Sequence, residues 1–117
     1  ALMAEIEIKK SKFISYSFKV ETLEEVKHIL EEIKSKNKKA THICFAYVIS
    51  GTEFLAKAFD DGEPGGTAGK PILSVIQKQN LTNVLVVVVR YFGGIKLGAG
   101  GLVRTYSKAA SLALSEF

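Results

Sequence analysis

Apolar and polar residues alternate at the start of the chain. Glu5-Ile6-Glu7-Ile8-Lys9 reads as a half-exposed strand. After Lys10-Ser11, which can turn the chain, a second alternation runs from Lys12 to Val20 and sets Phe13, Ser15, Ser17 and Lys19 against Ile14, Tyr16, Phe18 and Val20. Thr22 followed by Glu25 has the spacing of a capping box. The apolar stripe of Leu23, Val26, Leu30 and Ile33, with Ile29 beside it, then predicts an amphipathic helix ending among Lys34, Lys36, Lys38 and Lys39. Thr41 to Ser50 is apolar in both phases of the alternation, the pattern of a central strand. Gly51-Thr52 breaks it, and Glu53 to Phe59 predicts its antiparallel partner. Pro71 suits a first helical position, with Ile72, Leu73, Val75 and Ile76 continuing a short helix to about Gln79. Asn80 to Asn83 interrupts the pattern before a buried strand from Val84 to Tyr91. A last helix from about Gly101 carries Leu102, Tyr106, Ala109 and Ala113 along one edge. The order β-β-α-β-β-α-β-α predicts an α+β sandwich, one sheet with its helices on one face.

At 117 residues the chain has the size of a single domain, residues 1–117, able to bury one core. No apolar run reaches membrane-spanning length, no signal-peptide pattern opens the chain, and the lone Cys44 cannot form an internal disulfide. Together these lead us to expect a soluble cytoplasmic protein. The net charge of +4 matters less than its distribution. Up to Lys39 the lysines are interleaved with glutamates, an ordinary solvated pattern. From Pro64 to Ser115 there is no Asp or Glu, while Lys70, Lys78, Arg90, Lys96, Arg104 and Lys108 remain. A basic, acid-free half predicts a surface of positive potential for phosphates or other anions.

Two glycine-rich turns lie in this region, Asp60 to Pro71 and Arg90 to Leu102, each leading into a helix. Free N–H groups and the positive end of the helix dipole at such a start can hold an anion. The second turn is the leading candidate for a phosphate cradle. Arg90 and Arg104 would grip phosphate oxygens in bidentate fashion and Lys96 would add a point charge. Gly93, Gly94, Gly98, Gly100 and Gly101 would offer backbone donors, Lys70 would extend the patch, and Tyr91 and Phe92 would stack on a base. The alternative reading makes Tyr91 and Phe92 core residues and pairs Arg90 with Asp60 or Asp61. Asp60, Asp61 and Glu63 are hard oxygen ligands and hence weak candidates for Mg²⁺, although Asp-Gly and Glu-Pro are also ordinary turn chemistry. No Gly-Lys-Ser/Thr ends the first turn, so it is not a Walker loop. His42 in its apolar strand reads as a satisfied core histidine, a dyad with Cys44 is not expected, and Ser11 has no visible base.

Asp60-Asp61-Gly62-Glu63-Pro64 with Gly66-Thr67-Ala68-Gly69-Lys70-Pro71, followed by Val86 to Tyr106, resembles the Impact/YigZ family. Lys10 to Ile14 and His42 to Tyr47 fit the same pattern, so the resemblance runs from about Glu5 to Leu114. It implies a two-layer α+β sandwich similar to the second domain of ribosomal protein S5. It also implies a role in translational control and stress signalling, in which eukaryotic members act through protein partners. Bacterial two-domain members carry a further ferredoxin-like domain and eukaryotic ones a partner-binding domain. The chain is therefore expected to be a lone-domain member or a piece of a longer protein.

These observations lead us to expect a non-enzymatic module that binds RNA or a ribonucleoprotein surface and acts in translation or the stress response. No cofactor, catalytic residue or membrane contact is expected. The alternatives are a Mg²⁺-dependent enzyme acting on a nucleotide or phosphometabolite, and a protein-interaction domain with an acidic partner.

Overall fold

The computed structural model describes residues 2–117. Five strands, β1 (Leu2–Ile8), β2 (Ser11–Lys19), β3 (His42–Ser50), β4 (Phe54–Phe59) and β5 (Val84–Tyr91), form one antiparallel sheet in the order β1-β2-β5-β3-β4. The helices are α1 (Leu23–Lys36), α2 (Gly69–Lys78) and α3 (Gly98–Ala113). The α+β class and the element order are those read from the sequence. β5, last in the chain among the strands, lies at the centre between β2 and β3. Its unbroken β-branched run suits this place, since both of its faces are covered. Val84, Val86 and Val88 enter one apolar cluster with α2 and α3, and Leu85, Val87 and Val89 enter a second with α1.

The helices are thus not all on one face. α2 and α3 cover one side of the sheet, while Val26, Leu30 and Ile33 of α1 pack on the other, against Ile43, Tyr47 and Val87. The physical reason lies in β5 and β3, which are apolar in both phases and need cover on both sides. α1 is capped as its sequence predicts: Thr22 Oγ1 accepts the Glu25 N–H at 3.2 Å, and Glu25 Oε1 accepts the Glu21 N–H at 2.9 Å. On β2 the buried phase is the serine one. Ser11, Ser15 and Ser17 lie under α3, whose Ala109, Ala110 and Ala113 permit close approach, and the Ser17 hydroxyl donates to the Ala113 carbonyl at 2.6 Å.

Two helices begin earlier than their sequence signals, α2 at Gly69 and α3 at Gly98. The β1–β2 turn places Lys9 and Lys10 at positive φ (48° and 68°), which side chains rarely adopt. Gly93 sits against it so closely that a Cβ there would lie 1.9 Å from the Lys10 carbonyl oxygen. Gly69 is equally constrained, with a Cβ 2.4 Å from the Phe59 backbone nitrogen. Gly69→Ala is therefore expected to lose about 1–3 kcal/mol through overpacking. Gly51→Ala, with open space around its Cα, should change stability by less than about 0.5 kcal/mol. Urea unfolding of both variants checks the contrast.

Candidate functional site

Beneath the two glycine turns lies a buried polar network. Arg90 continues the phase of Val86 and Val88 on β5, so its side chain points into the layer between the sheet and α3, and only 4% of the residue is exposed. Its Nη1 donates to Glu63 Oε2 at 2.8 Å, and its Nε and Nη2 lie 3.4 and 3.2 Å from the Ser11 hydroxyl oxygen. That oxygen also accepts the Gly93 N–H at 3.4 Å, which ties the second turn to the β1–β2 turn. The guanidinium carbon lies 5.4 Å from the centres of both the Phe13 and Phe92 rings. Glu63 Oε2 accepts a second bond from the Tyr106 hydroxyl at 2.6 Å, and Oε1 faces His42 Nε2 at 3.4 Å. His42 Nδ1 donates to the Asp61 carbonyl at 2.8 Å. The Cys44 thiol lies 3.0 Å from the Asp60 carbonyl and 3.4 Å from the Tyr106 oxygen. Among the described residues no buried side-chain polar atom lacks a partner.

Burial first, then the negative charges of Glu63, Asp61 and Asp60, pushes the Cys44 thiol up to about 12, despite the opposing bond to Tyr106. Burial likewise holds the Tyr106 phenol far above its ordinary value, with Cys44 and Glu63 adding to the effect. A nucleophilic thiolate needs the reverse environment, so Cys44 is a structural residue.

The helix starts behind the two turns differ. At α2 the anion position is filled by the chain itself: Asp60 Oδ2 accepts the Gly66 N–H at 2.9 Å, and Oδ1 accepts those of Ala68 and Gly69 at 3.1 and 2.9 Å. Burial raises the Asp60 carboxyl, but these N–H groups and nearby Lys70 outweigh it and leave it below the ordinary range. The start of α3 has no side-chain cap and no acidic residue in its first turn. Gly94 and Gly98 bend the chain into it at φ 94° and 76°. Lys96, Arg104, Phe92 and Ile95 around it are exposed, and Arg104 Nη1 would lie 3.2 Å from a Cβ built on Gly100.

Of the predicted cradle, then, Lys96, Arg104 and the backbone of Gly98, Gly100 and Gly101 lie at one helix start, Gly93 gives its N–H to Ser11 instead, and three side chains lie elsewhere. Arg90 is turned inward and paired, with Glu63 rather than Asp60 or Asp61. Tyr91 is on the α1 face, where its hydroxyl donates to Asn37 Oδ1 at 2.6 Å and Lys12 covers its ring. Lys70 lies along α2 beside Gly66. The three weak metal candidates do not converge. Asp60 serves α2, Asp61 Oδ2 accepts the Ile43 N–H at 2.7 Å, and Glu63 holds Arg90. Among the described residues no group of three His, Cys, Asp or Glu side chains has the arrangement of a metal site.

The model of the Impact N-terminal domain matches residues 9–114. The chain belongs to the Impact family. The Impact-family member YvyE of Bacillus subtilis is 50% identical over 111 residues, covering 95% of this chain and 51% of the relative. A solved structure described as a hypothetical protein superposes with a TM-score of 0.93 at 38% identity, over 98% of this chain and 57% of that one. The two-domain translational regulator Yih1 superposes with a TM-score of 0.62 at 28% identity, over 93% and 45%. The chain spans about half the length of the curated relatives it matches.

Sequence reasoning missed Ser11 and Glu63 as partners of Arg90 in this Impact domain, and Tyr106 and His42 as neighbours of the Glu63 carboxylate. One signal was available: an arginine in phase with Val86 and Val88 requires a buried acid. Which of three nearby carboxylates supplies it depends on how the first turn folds.

Two outcomes check this geometry. In the native domain Cys44 should resist thiol reagents at pH 8 and react rapidly only in denaturant, as a timed absorbance assay reports. Asp60→Ala should lose about 1–2 kcal/mol near neutral pH. A lowered folded-state value means the contribution is present above the ordinary carboxyl range and lost as pH falls through the lowered one. The stabilities of the variant and the native domain should therefore begin to converge as pH falls below about 4, and meet only below the lowered value, in acid-unfolding curves.

Proposed function

We propose that this domain is a non-enzymatic module that binds phosphates of RNA or a ribonucleoprotein surface at the start of α3, and through that contact takes part in regulating translation. The observation that carries the reading is the difference between the two helix starts. Asp60 neutralises that of α2, whereas that of α3 is open, free of acids and flanked by Lys96 and Arg104. Such a terminus favours an anion through its N–H groups and dipole. Exposed Phe92 beside it offers a ring to an unstacked base. The similarity to the translational regulator Yih1 supports the biological setting. No helix of the described residues is long and apolar enough to cross a membrane, and we place the activity in the cytoplasm. A Mg²⁺-dependent enzyme is less well supported, because Asp60, Asp61 and Glu63 are all engaged within the fold.

Fluorescence anisotropy with short single- and double-stranded RNA, from about 50 to about 200 mM salt, tests the reading. Lys96→Ala combined with Arg104→Ala, both exposed, should weaken binding at least about tenfold. It should also lower the salt slope by about 2, one unit per lost phosphate contact. Salt-independent binding, no binding, or binding untouched by the substitutions would refute it.

A further inference from the structure

A groove of about 530 Å³ runs between α2 and α3 on their solvent side. Leu73 and Val103 line it with apolar side chains, Ser74 and Ser107 add hydroxyls, and Lys70 and Lys78 lie near the two ends of α2. We infer that this groove docks an acidic amphipathic helix of a partner protein. The inference goes beyond the RNA-binding reading and uses different residues.

Charge and shape argue for that occupant. Neither α2 nor α3 carries an acidic residue anywhere along its length, and the charged side chains that line the groove, Lys70 and Lys78, are both positive. Lys70 and Lys78 are eight residues apart, about 12 Å along the axis. That separation matches two acidic positions about two turns apart on a helix lying alongside α2. Between them, apolar residues at i and i+3 or i+4 of that helix would rest on Leu73 and Val103, the usual anchor spacing of a helix in a groove. Val103, 39% exposed near the middle of α3, leaves an apolar surface on which such an anchor can rest. No aromatic ring or arginine lines the groove, so it lacks the stacking and bidentate groups that favour single-stranded RNA. A symmetric dimer through this groove is disfavoured too, since it would bring two positive surfaces together.

The probe is a synthetic helical peptide of about 14 residues, with leucines at i, i+3 and i+7 and glutamates at both ends. A control peptide carries lysine in place of every glutamate. Titration into the ¹⁵N-labelled domain should shift the Leu73, Ser74, Val103 and Ser107 amides with the acidic peptide only. Lys70→Glu with Lys78→Glu, and separately Val103→Glu, should weaken binding at least about tenfold while circular dichroism shows the fold retained. The Lys96→Ala, Arg104→Ala variant should bind the peptide normally, which separates this site from the start of α3. Three results would overturn the inference: no shifts up to about 1 mM acidic peptide, equal shifts with the basic control, or the same amides responding to RNA and not to peptide.

Discussion

Glu63 and Arg90 face each other at 2.8 Å with almost no access to water. Removing two charges from water costs several kcal/mol each, and the cost is offset only where geometry is good and every remaining donor and acceptor is used. Among the described residues no buried side-chain nitrogen or oxygen is left without a partner. Ser11 takes Nε and Nη2 of the guanidinium, Tyr106 donates to the carboxylate, His42 faces its other oxygen, and Phe13 and Phe92 lie against the guanidinium. The pair therefore joins the first glycine turn and α3, neither of them part of the sheet, to β5 and the start of β2. Its consequence for the surface is indirect. Ser11 also holds the Gly93 N–H, so the arginine that cannot touch a ligand fixes the loop that leads into the open helix start.

The two glycine turns show how similar sequence signals diverge in three dimensions. Both contain glycine doublets, both lead into helices, and both lie in the acid-free half or at its edge. Asp60, only a few residues before α2, folds back onto three of its N–H groups and closes that start. The last acid before α3 is Glu63, far upstream in the chain and engaged with Arg90, and the start of α3 keeps its positive character. The same absence of acids along α2 and α3 leaves the groove between them positive. A helical layer that is basic throughout, over a sheet whose opposite face is covered by α1, gives the domain one face suited to anions and polyanionic partners.

Much of the fold was legible in the sequence. The alternation in Thr41 to Ser50 and the β-branched run after Asn83 identified the central strands, and Thr22 with Glu25 marked the start of α1. What periodicity could not show was which face each helix would cover. A strand apolar in both phases demands cover on both sides, yet does not say which helix supplies it. The candidate site was half legible. Lys96 and Arg104 lie where the turn predicted, because their neighbours in sequence are their neighbours in space. Arg90 was misplaced because its partner Glu63 is 27 residues away, and charge alone does not distinguish a ligand-facing arginine from a paired one. Its phase on β5 does distinguish them.

The central claim is that Glu63 and Arg90 act as one unit inside the fold. A double-mutant cycle with Glu63→Gln and Arg90→Met, read by urea unfolding, tests it most directly. Each single substitution should lose about 3–5 kcal/mol, because it leaves the partner's charge buried and unpaired. The double variant should be no worse than either, a coupling of about 3 kcal/mol or more. Single losses that add to within about 0.5 kcal/mol would show the two groups to be independent and would contradict the account.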